Sequence, residues 1–304
     1  MITGLSGNYG TVSSNIFGDR SANEGSAFVQ DEWRLTSRLT LTGGVRGDVF
    51  ALDTIAPQGR ISVRGAALVK LNTAHRLRVS GGTGFRAPSL AEIFTTTSAS
   101  GLTVVPNPAL QPETNWGGEV GSRYHGSFWF TDVAVFYSRY NNLIEPTFRS
   151  NLQIRFENIQ QARMAGGELL LNATFWHQRL ATQLGYTYVD ARDVNSGAYL
   201  NFRPRHTLYA QLRGMLPLAL LTLDYRYISR YDRIDERLAL FVRDVDKYNA
   251  AHVVDFSLST RLPLWGGTLG VNLTVKNMLN YYYTDLVGSL APLRQYVVTL
   301  MWEK

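Results

Sequence analysis

The sequence is dominated by segments of about ten residues in which apolar and polar side chains alternate with a period of two. In the segment 221–227, Leu and Tyr occupy one face, and Thr, Asp and Arg occupy the other. The segments 39–49, 254–261 and 269–276 repeat this arrangement. The pattern predicts β-strands with one apolar face, because an amphipathic helix would need apolar residues three and four positions apart.

The length of these strands and their connections favour a membrane barrel. The predicted strands run about 10 to 14 residues, whereas strands of globular domains usually have five or six. Short turns alternate with long loops, which we place at 86–111, 141–153, 190–200, 231–245 and 280–292. Short turns on one side and long loops on the other are typical of outer-membrane barrels. We count roughly thirteen strands between Glu24 and Trp302.

The composition agrees with strands that border lipid. Hydrophobic residues make up 45% of the chain, charged residues 18% and aromatic residues 12%. Tyr and Trp suit half-buried pleated surfaces and membrane interfaces. No apolar run approaches the roughly 20 residues of a membrane-spanning helix, so membrane insertion would be by strands. A soluble β-sandwich would show the same alternation, and a soluble β-propeller is disfavoured because no blade repeat recurs at a fixed period.

Several chemistries are excluded or disfavoured by what the sequence lacks. The net charge of +6 is scattered, without the concentrated basic patch that a nucleic-acid partner requires. The absence of Cys excludes disulfides, thiolate metal sites and Cys nucleophiles. The five His show no metal-ligand spacing, and no nucleophile elbow, phosphate-binding loop or dinucleotide fingerprint is present. We therefore predict no enzyme activity, no cofactor and no metal site.

The start of the chain indicates that an N-terminal part is missing. Residues 1–23 are interpreted as a loop or partial strand, and residues 24–304 as the barrel portion. A complete bacterial barrel has an even number of strands, and the start of the sequence lacks the basic and apolar regions of a signal peptide. Either the chain is a fragment of an outer-membrane protein, or the membrane interpretation is wrong.

Several segments resemble TonB-dependent receptors. The segment 84–94 (GFRAPSLAEIF) is similar to the family's motif at the top of a mid-barrel strand. The segment 107–114 (NPALQPET) is similar to the one that follows the long loop and starts the next strand. Weaker similarities occur in the family's order at 27–33, 186–191, 203–206 and 276–283. The resemblance covers the chain from about Gly25 to Trp302.

This resemblance implies an antiparallel transmembrane β-barrel, of which the chain holds about the last thirteen of 22 strands and is therefore incomplete. It implies a receptor part for active uptake of a scarce nutrient, of the iron–siderophore or cobalamin class, across the bacterial outer membrane. The implied partners are outer-membrane lipid, the missing N-terminal plug and strands, the TonB complex acting through that plug, and a siderophore or vitamin-like ligand. The plug and its TonB-contacting segment are not in this sequence.

Two other functions stay open. A passive porin-like channel would have no plug and usually a smaller barrel. A truncated fragment without transport activity would leave two open strand edges, which lipid cannot satisfy.

Candidate binding residues fall into two groups. Outer-loop candidates for ligand contact are Arg86, Glu92, Arg233, Arg237, Tyr282 and Tyr283. For the loop charges the alternative is simple solvation, and for the tyrosines it is the aromatic belt at the membrane interface. Polar positions expected on the barrel's inner wall are Arg46, Arg76, Arg78, Asp224, Arg226 and Lys276; the alternative to a substrate path there is a solvated wall that contacts the plug.

Overall fold

The computed structural model describes residues 1–99, 101–149, 152–234, 250–264, 266–286 and 289–304. Within these ranges the chain forms strands and one short helix. The first nine strands and the helix are β1 (Ile2–Val12), β2 (Arg20–Arg34), β3 (Leu39–Leu52), β4 (Ile55–Lys70), β5 (His75–Arg86), α1 (Leu90–Phe94), β6 (Thr97–Ala99), β7 (Leu102–Val105), β8 (Glu113–His125) and β9 (Trp129–Phe148).

The remaining strands are β10 (Gln153–Phe175), β11 (Leu180–Asp193), β12 (His206–Met215), β13 (Ala219–Ile228), β14 (Ala251–Leu264), β15 (Gly267–Lys276), β16 (Thr284–Leu286), β17 (Ser289–Leu290) and β18 (Gln295–Glu303). Among the described residues, no helix combines the length and apolar character needed to cross a membrane.

The large sheet follows chain order, which confirms the antiparallel all-β prediction. Its hydrogen-bonded order is β1-β2-β3-β4-β5-β8-β9-β10-β11-β12-β13-β14-β15-β18, so the order is open at β1 and β18. In the part of the chain that the structure describes, thirteen strands of this path lie from Arg20 onward, as the sequence predicts. The short strands β6 and β7 leave this path, and β7 pairs in parallel with β10.

One segment interpreted as a loop or partial strand and one segment expected as a loop form strands. Residues 2–12 form β1, which pairs with β2 from Ile2 opposite Gln30 to Val12 opposite Arg20. The predicted long loop at 141–153 is wrong, since β9 continues to Phe148 and β10 begins at Gln153. Asn141, Asn142 and Pro146 are residue types typical of turns, and they concealed the alternation in which Ile144 and Phe148 share one face.

The chain divides into two compact units, of which the first comprises residues 1–121, 136–165 and 191–199. On the apolar face of this unit, Val45 lies opposite Val29 on one neighbouring strand and Val63 on the other. Val45 is 47% exposed. The apolar row therefore lies open and is not covered by a second protein layer.

The first unit has its apolar core at the ends of its strands. The buried side chains of this core are Phe50, Leu52, Ile93, Phe94, Leu110 and Ile144. The rings of Phe50 and Phe85 stack with their centroids 5.6 Å apart. The α1 helix contributes Ile93, which is fully buried. This core fixes the segment between β5 and β8 onto the strand ends.

The second unit comprises residues 122–135, 166–190 and 200–304. Its apolar face is a cross-strand row in which Leu258 lies opposite Leu273, and Leu273 lies opposite Val298. Val298 is 64% exposed, so this face is also open. A contiguous exposed apolar face of this kind requires an apolar environment or a partner surface.

One end of this apolar face carries paired tyrosine and histidine side chains. The Tyr186 hydroxyl lies 2.7 Å from Nδ1 of His206 on the next strand. The Tyr225 hydroxyl lies 2.9 Å from Nδ1 of His252 in the same arrangement. Amphipathic rings at the border of an apolar band are typical of a membrane interface.

Candidate functional site

Arg86, the last residue of β5, joins three elements at one strand end of the first unit. Its Nε and Nη2 donate to the two carboxylate oxygens of Glu113, at 3.0 and 2.6 Å. Its Nη1 donates to Glu92 Oε2 at 2.8 Å. Glu113 also accepts the backbone N–H of Ile144 at 2.8 Å. The guanidinium therefore ties β5 to α1 and to the start of β8.

The α1 helix begins with a capping box that uses the same glutamate. Ser89 Oγ accepts the backbone N–H of Glu92 at 3.2 Å, and the Glu92 carboxylate accepts the backbone N–H of Ser89 at 2.7 Å. Burial of this carboxyl opposes ionisation, but hydrogen bonds from Arg86 and Ser89 outweigh it and hold the pKa of Glu92 below its usual value. Glu92 is therefore an anion that anchors the helix start.

The asparagine of the second motif fixes the returning loop. Asn107 is buried, and its Nδ2 donates to the Phe156 carbonyl at 2.7 Å. Its Oδ1 accepts from Arg155 Nη2 at 2.8 Å. Farther along, Asn158 accepts the backbone N–H of Gln111 and donates to its carbonyl, both at 2.9 Å. These bonds attach the loop before β8 to β10.

In the second unit, the structure brings together two residues that the sequence placed in different groups. Arg226 Nη2, a predicted wall position, donates to the hydroxyl of Tyr283, a predicted outer-loop position, at 2.9 Å. The guanidinium carbon also lies 5.7 Å from the centre of the Tyr283 ring. Tyr282, the neighbouring candidate, is 67% exposed.

Asn277 positions the turn that carries Tyr281, Tyr282 and Tyr283, which we call the tyrosine turn. This buried residue has a left-handed backbone with φ of 47°. Its Nδ2 donates to the carbonyls of Tyr281 and Pro292 at 2.9 and 3.3 Å, and its Oδ1 accepts the backbone N–H of Tyr281 at 2.8 Å. Its own N–H donates to Asp255 at 2.7 Å. One side chain thus fixes the chain that carries Tyr282 and Tyr283.

Arg233, a further loop candidate, is next in sequence to a residue of a bidentate ion pair. Arg205 Nε and Nη2 donate to the two carboxylate oxygens of Asp232, at 2.6 and 2.7 Å. The adjacent Arg233 accepts the backbone N–H of Phe202 through its carbonyl at 3.1 Å. Arg237, a predicted ligand contact, lies outside the described residues.

The register places the predicted wall residues on the polar face of each unit. In the first unit, Arg46 Nε donates to Asp48 at 2.8 Å, and Arg78 Nε donates to Glu119 at 2.8 Å. Arg76 lies on the same face as Arg78, two residues earlier on β5.

In the second unit, Asp224 accepts from the Tyr209 hydroxyl at 2.6 Å and from Gln211 at 2.7 Å. Arg226 and Lys276 share this face. Four of the six predicted wall residues therefore form side-chain hydrogen bonds, as expected for polar groups on a sheet face: Arg46, Arg78, Asp224 and Arg226.

Two residues with anchoring roles were not among the sequence candidates. Glu113 was assigned only to a motif that starts a strand, and Asn277 only to the weaker family similarity at 276–283. Polar residues immediately before or after an apolar strand are the signal that could have identified them. Within the described ranges, no group of three or more His, Cys, Asp or Glu side chains is arranged to hold a metal ion.

Comparison with known sequences places the chain in a family. The family model described as TonB dependent receptor-like, beta-barrel matches residues 2–278. Transferrin-binding protein A of Neisseria meningitidis serogroup B is 24% identical over 284 residues, which are 86% of this chain and 30% of that protein. Hemoglobin and hemoglobin-haptoglobin-binding protein A of Haemophilus influenzae is 28% identical over 152 residues, 44% of this chain and 14% of that protein.

Solved structures show the same fold. The copper transporter OprC superposes with a TM-score of 0.77 at 17% identity, over 93% of this chain and 48% of that one. The hemophore receptor HasR of Serratia marcescens superposes with a TM-score of 0.73 at 18% identity, over 97% of this chain and 54% of that one. The chain spans about half the length of these structures and less than a third of the two relatives above.

Members of the matched family are outer-membrane β-barrel proteins of Gram-negative bacteria, and they are transport receptors, not enzymes. The family match covers most of the sequence, and the strand order and superpositions agree with it. The chain belongs to the TonB-dependent receptor family and corresponds to the C-terminal portion of its β-barrel.

Proposed function

We propose that the chain is part of an outer-membrane receptor that takes up an iron-containing ligand by a TonB-dependent mechanism. The family match over residues 2–278 carries this proposal. Its iron specificity is supported by relatives named for transferrin and hemoglobin binding, and by the hemophore receptor among the solved structures. Within the class of iron-containing ligands, an iron–siderophore complex is the more specific candidate. Cobalamin is the alternative cargo that contains no iron.

The open apolar faces support a position in the outer membrane. In each unit, exposed Val and Leu side chains occupy one face of the sheet, and hydrogen-bonded charged and polar side chains occupy the other. Acyl chains satisfy the first face, and a wet interior satisfies the second. The tyrosine and histidine pairs border the apolar row of the second unit, where amphipathic rings meet the membrane interface.

The proposed ligand contacts are residues at the outer ends of the strands. Tyr282 has an exposed ring, and Tyr283 extends the polar wall through Arg226. The guanidinium of Arg86 is 45% exposed, although its donors already hold Glu92 and Glu113. Arg86 therefore keeps its neighbouring loop in place, while Glu92 and Glu113 balance its charge, and Tyr282 contributes the accessible surface. Transport further requires a plug and the TonB complex, which are partners outside this sequence.

The test is growth of the source bacterium on single iron sources. We expect deletion of the gene to abolish growth on one source, offered in turn as heme, transferrin, a hydroxamate siderophore or a catecholate siderophore. Complementation restores growth, and collapse of the inner-membrane proton gradient stops uptake. Persistent uptake without the gradient would identify a passive channel. No defect on any iron source or on cobalamin would identify a fragment without transport activity, and a defect on cobalamin alone would overturn the iron assignment.

A pair of substitutions tests the ligand surface. Tyr282→Ala is expected to weaken ligand binding to whole cells about tenfold. This corresponds to a loss of about 1.4 kcal/mol in binding free energy, which is reasonable for truncation of an aromatic side chain that contacts a ligand. Tyr9→Ala is the matched control, because Tyr9 has the same 67% exposure and lies on β1. Equal effects of both substitutions would show that Tyr282 is not a ligand contact.

A further inference from the structure

The apolar face of β9 ends at an arginine. From residue 129 to residue 137 this face carries Trp, Thr, Val, Val and Tyr, and Arg139 follows at the next position of the same face. The ring centroids of Tyr137 and Trp116 on β8 lie 5.6 Å apart, and Trp116 is 49% exposed. A run of about nine residues with aromatic ends has the length of a membrane-spanning strand. Arg139 is therefore the first residue of this face beyond the membrane border.

The neighbouring strand β10 shows the same change from apolar to basic. From residue 165 to residue 175 one face carries Ala, Gly, Leu, Leu, Ala and Phe, and Arg163 is the adjacent position of that face. Arg139 Nη2 donates to Oε1 of Gln161, which lies on the same face as Arg163 and two residues from it. The two apolar runs thus share one sheet face, and an arginine ends each of them.

The backbone register places these two arginines opposite each other. The Arg149 N–H donates to the Gln153 carbonyl at 2.7 Å, where the β9–β10 hairpin turns. Such a bond in an antiparallel pair joins residues that lie opposite each other. The same register along the hairpin pairs Arg139 with Arg163, and the contact between Arg139 and Gln161 agrees with it.

A third arginine lies on β11 in the same line. The Val194 N–H donates to the Gln161 carbonyl at 3.0 Å, so these residues lie opposite each other, and Arg192 lies opposite Arg163. Arg139, Arg163 and Arg192 therefore form one line across three adjacent strands, which we call the arginine row. At the usual spacing of strands the row spans about 10 Å. All three residues belong to the first unit.

Neutral groups hold the two ends of the arginine row. Arg139 donates to the amide oxygen of Gln161. Arg192 Nη2 donates to the Tyr199 hydroxyl at 2.6 Å, and its Nη1 donates to the Gly197 carbonyl at 3.2 Å. The guanidinium carbon of Arg192 also lies 4.1 Å from the centre of the Tyr199 ring. These contacts fix the side chains in place and leave their positive charge in the row.

The guanidiniums of the row outnumber the neighbouring carboxylate. Asp190, two residues before Arg192 on β11, supplies one carboxylate on the same face. Asp193 lies on the other face, and its Oδ1 accepts the N–H and the hydroxyl of Ser196 at 2.7 and 2.9 Å. Like charges opposite each other on neighbouring strands destabilise a sheet. An anion bound between the guanidiniums would remove this repulsion.

We propose that the arginine row binds the phosphate groups of a phosphorylated glycolipid in the outer leaflet of the membrane. The row follows the apolar runs on the side away from the short turns at 126–128 and 176–179, and the long loops of outer-membrane barrels are extracellular. When the apolar face contacts acyl chains, the row therefore lies at the level of the lipid headgroups. Guanidiniums bind phosphate oxygens through paired charged hydrogen bonds.

The site does not depend on any part of the barrel outside this sequence. Strands β9, β10 and β11 lie in the middle of the sheet, between β8 and β12, and the row is on the apolar face, opposite the polar wall. The inference rests on the outer-membrane position in the proposed function, but not on its cargo. A row that binds no lipid would leave growth on iron sources unchanged, and a failure of the uptake proposal would leave lipid binding measurable.

The test uses the native gene product, purified from outer membranes in detergent, freed of bound lipid and kept without divalent cations. The probe is lipid A, an acylated glucosamine disaccharide that carries a phosphate at each end. The same lipid without its phosphates and inorganic phosphate serve as comparisons. The readout is the temperature at which the folded band converts to the unfolded band on a semi-native gel. We expect lipid A alone to raise this temperature, in a saturable manner.

Substitutions assign the effect to the row. Arg163→Gln is expected to raise the lipid A concentration needed for half of the shift about tenfold, because the centre of the row loses a charged contact. Arg139→Gln is expected to act in the same direction, and it serves if Arg163→Gln does not fold. Arg179→Gln is the matched control, because it removes an exposed arginine from the short turn between β10 and β11.

Three results would each overturn the proposal. An equal shift with the dephosphorylated lipid would show contact with acyl chains only. An equal shift with inorganic phosphate would show a site for the free anion and not for a lipid. An equal loss of lipid A binding in Arg179→Gln would show attraction to overall positive charge, without a role for the row.

Discussion

Arg86 and Glu113 form a bidentate ion pair, with the guanidinium at the end of β5 and the carboxylate at the start of β8. The 26 residues between them include α1, β6 and β7. The ion pair thus holds the two ends of this long segment together. Glu113 is 11% exposed, which strengthens its charged hydrogen bonds relative to those of a surface pair.

Removal of this pair is expected to loosen the segment. Glu113→Gln should lower the stability of the outer end by about 1–3 kcal/mol, because Arg86 loses its anion and the Ile144 N–H loses a charged acceptor. The measurement is the temperature at which the folded band converts to the unfolded band on a semi-native gel. Glu32→Gln, in an exposed pair with Arg34, is the control and should change stability by less than about 0.5 kcal/mol. Equal shifts would contradict this role.

The helix start is expected to depend on pH. The pKa of Glu92 is lowered in the folded protein, so its contribution to stability is present above the unfolded-state pKa, near pH 4.3. It is lost as the pH falls through the lower folded-state pKa. Hydrogen exchange of the 90–94 amides, corrected for intrinsic rates, should therefore rise as the pH falls below about 4. In Glu92→Gln this part of the pH dependence should disappear; its persistence would assign the effect to other groups.

The tyrosine turn is expected to depend on the Asn277 side chain. Asn277→Gly keeps the left-handed backbone accessible but removes the hydrogen bonds to Tyr281 and Pro292. We expect a loss of about 2 kcal/mol and faster proteolysis after β15. Asn280→Gly, at a second left-handed position, is the comparison and removes the acceptor for the Arg294 N–H. The prediction fails if the Asn280 variant is cleaved at least as fast.

One turn carries backbone strain that can be relieved. Trp176, His177 and Gln178 are consecutive non-glycine residues with φ of 50°, 55° and 67°. A left-handed conformation costs such residues about 1–2 kcal/mol each, and glycine adopts it freely at some cost in unfolded-state entropy. Gln178→Gly should therefore raise stability by about 0.5–1 kcal/mol, measured by the same gel transition. Lower stability would show that the Gln178 side chain makes a contact that outweighs the strain.

The sequence predicted the strands most reliably where one face must be apolar. At 221–227 and 269–276, alternation identified β13 and β15, because a one-residue shift would move every apolar side chain to the other face. The same logic placed Arg46 and Arg78 on the polar face. It failed at 141–153, where the turn-forming residue types Asn141, Asn142 and Pro146 concealed a continuing hairpin.

The sequence by itself determined the antiparallel strands, their order and the division into apolar and polar faces, because these follow from local periodicity and short connections. Only the tertiary structure decided which charges pair. Arg86 and Glu113 are separated by a long segment, and Arg226 and Tyr283 lie 57 residues apart. Contacts at such separations depend on how loops return to the strand ends, and no local pattern encodes that geometry.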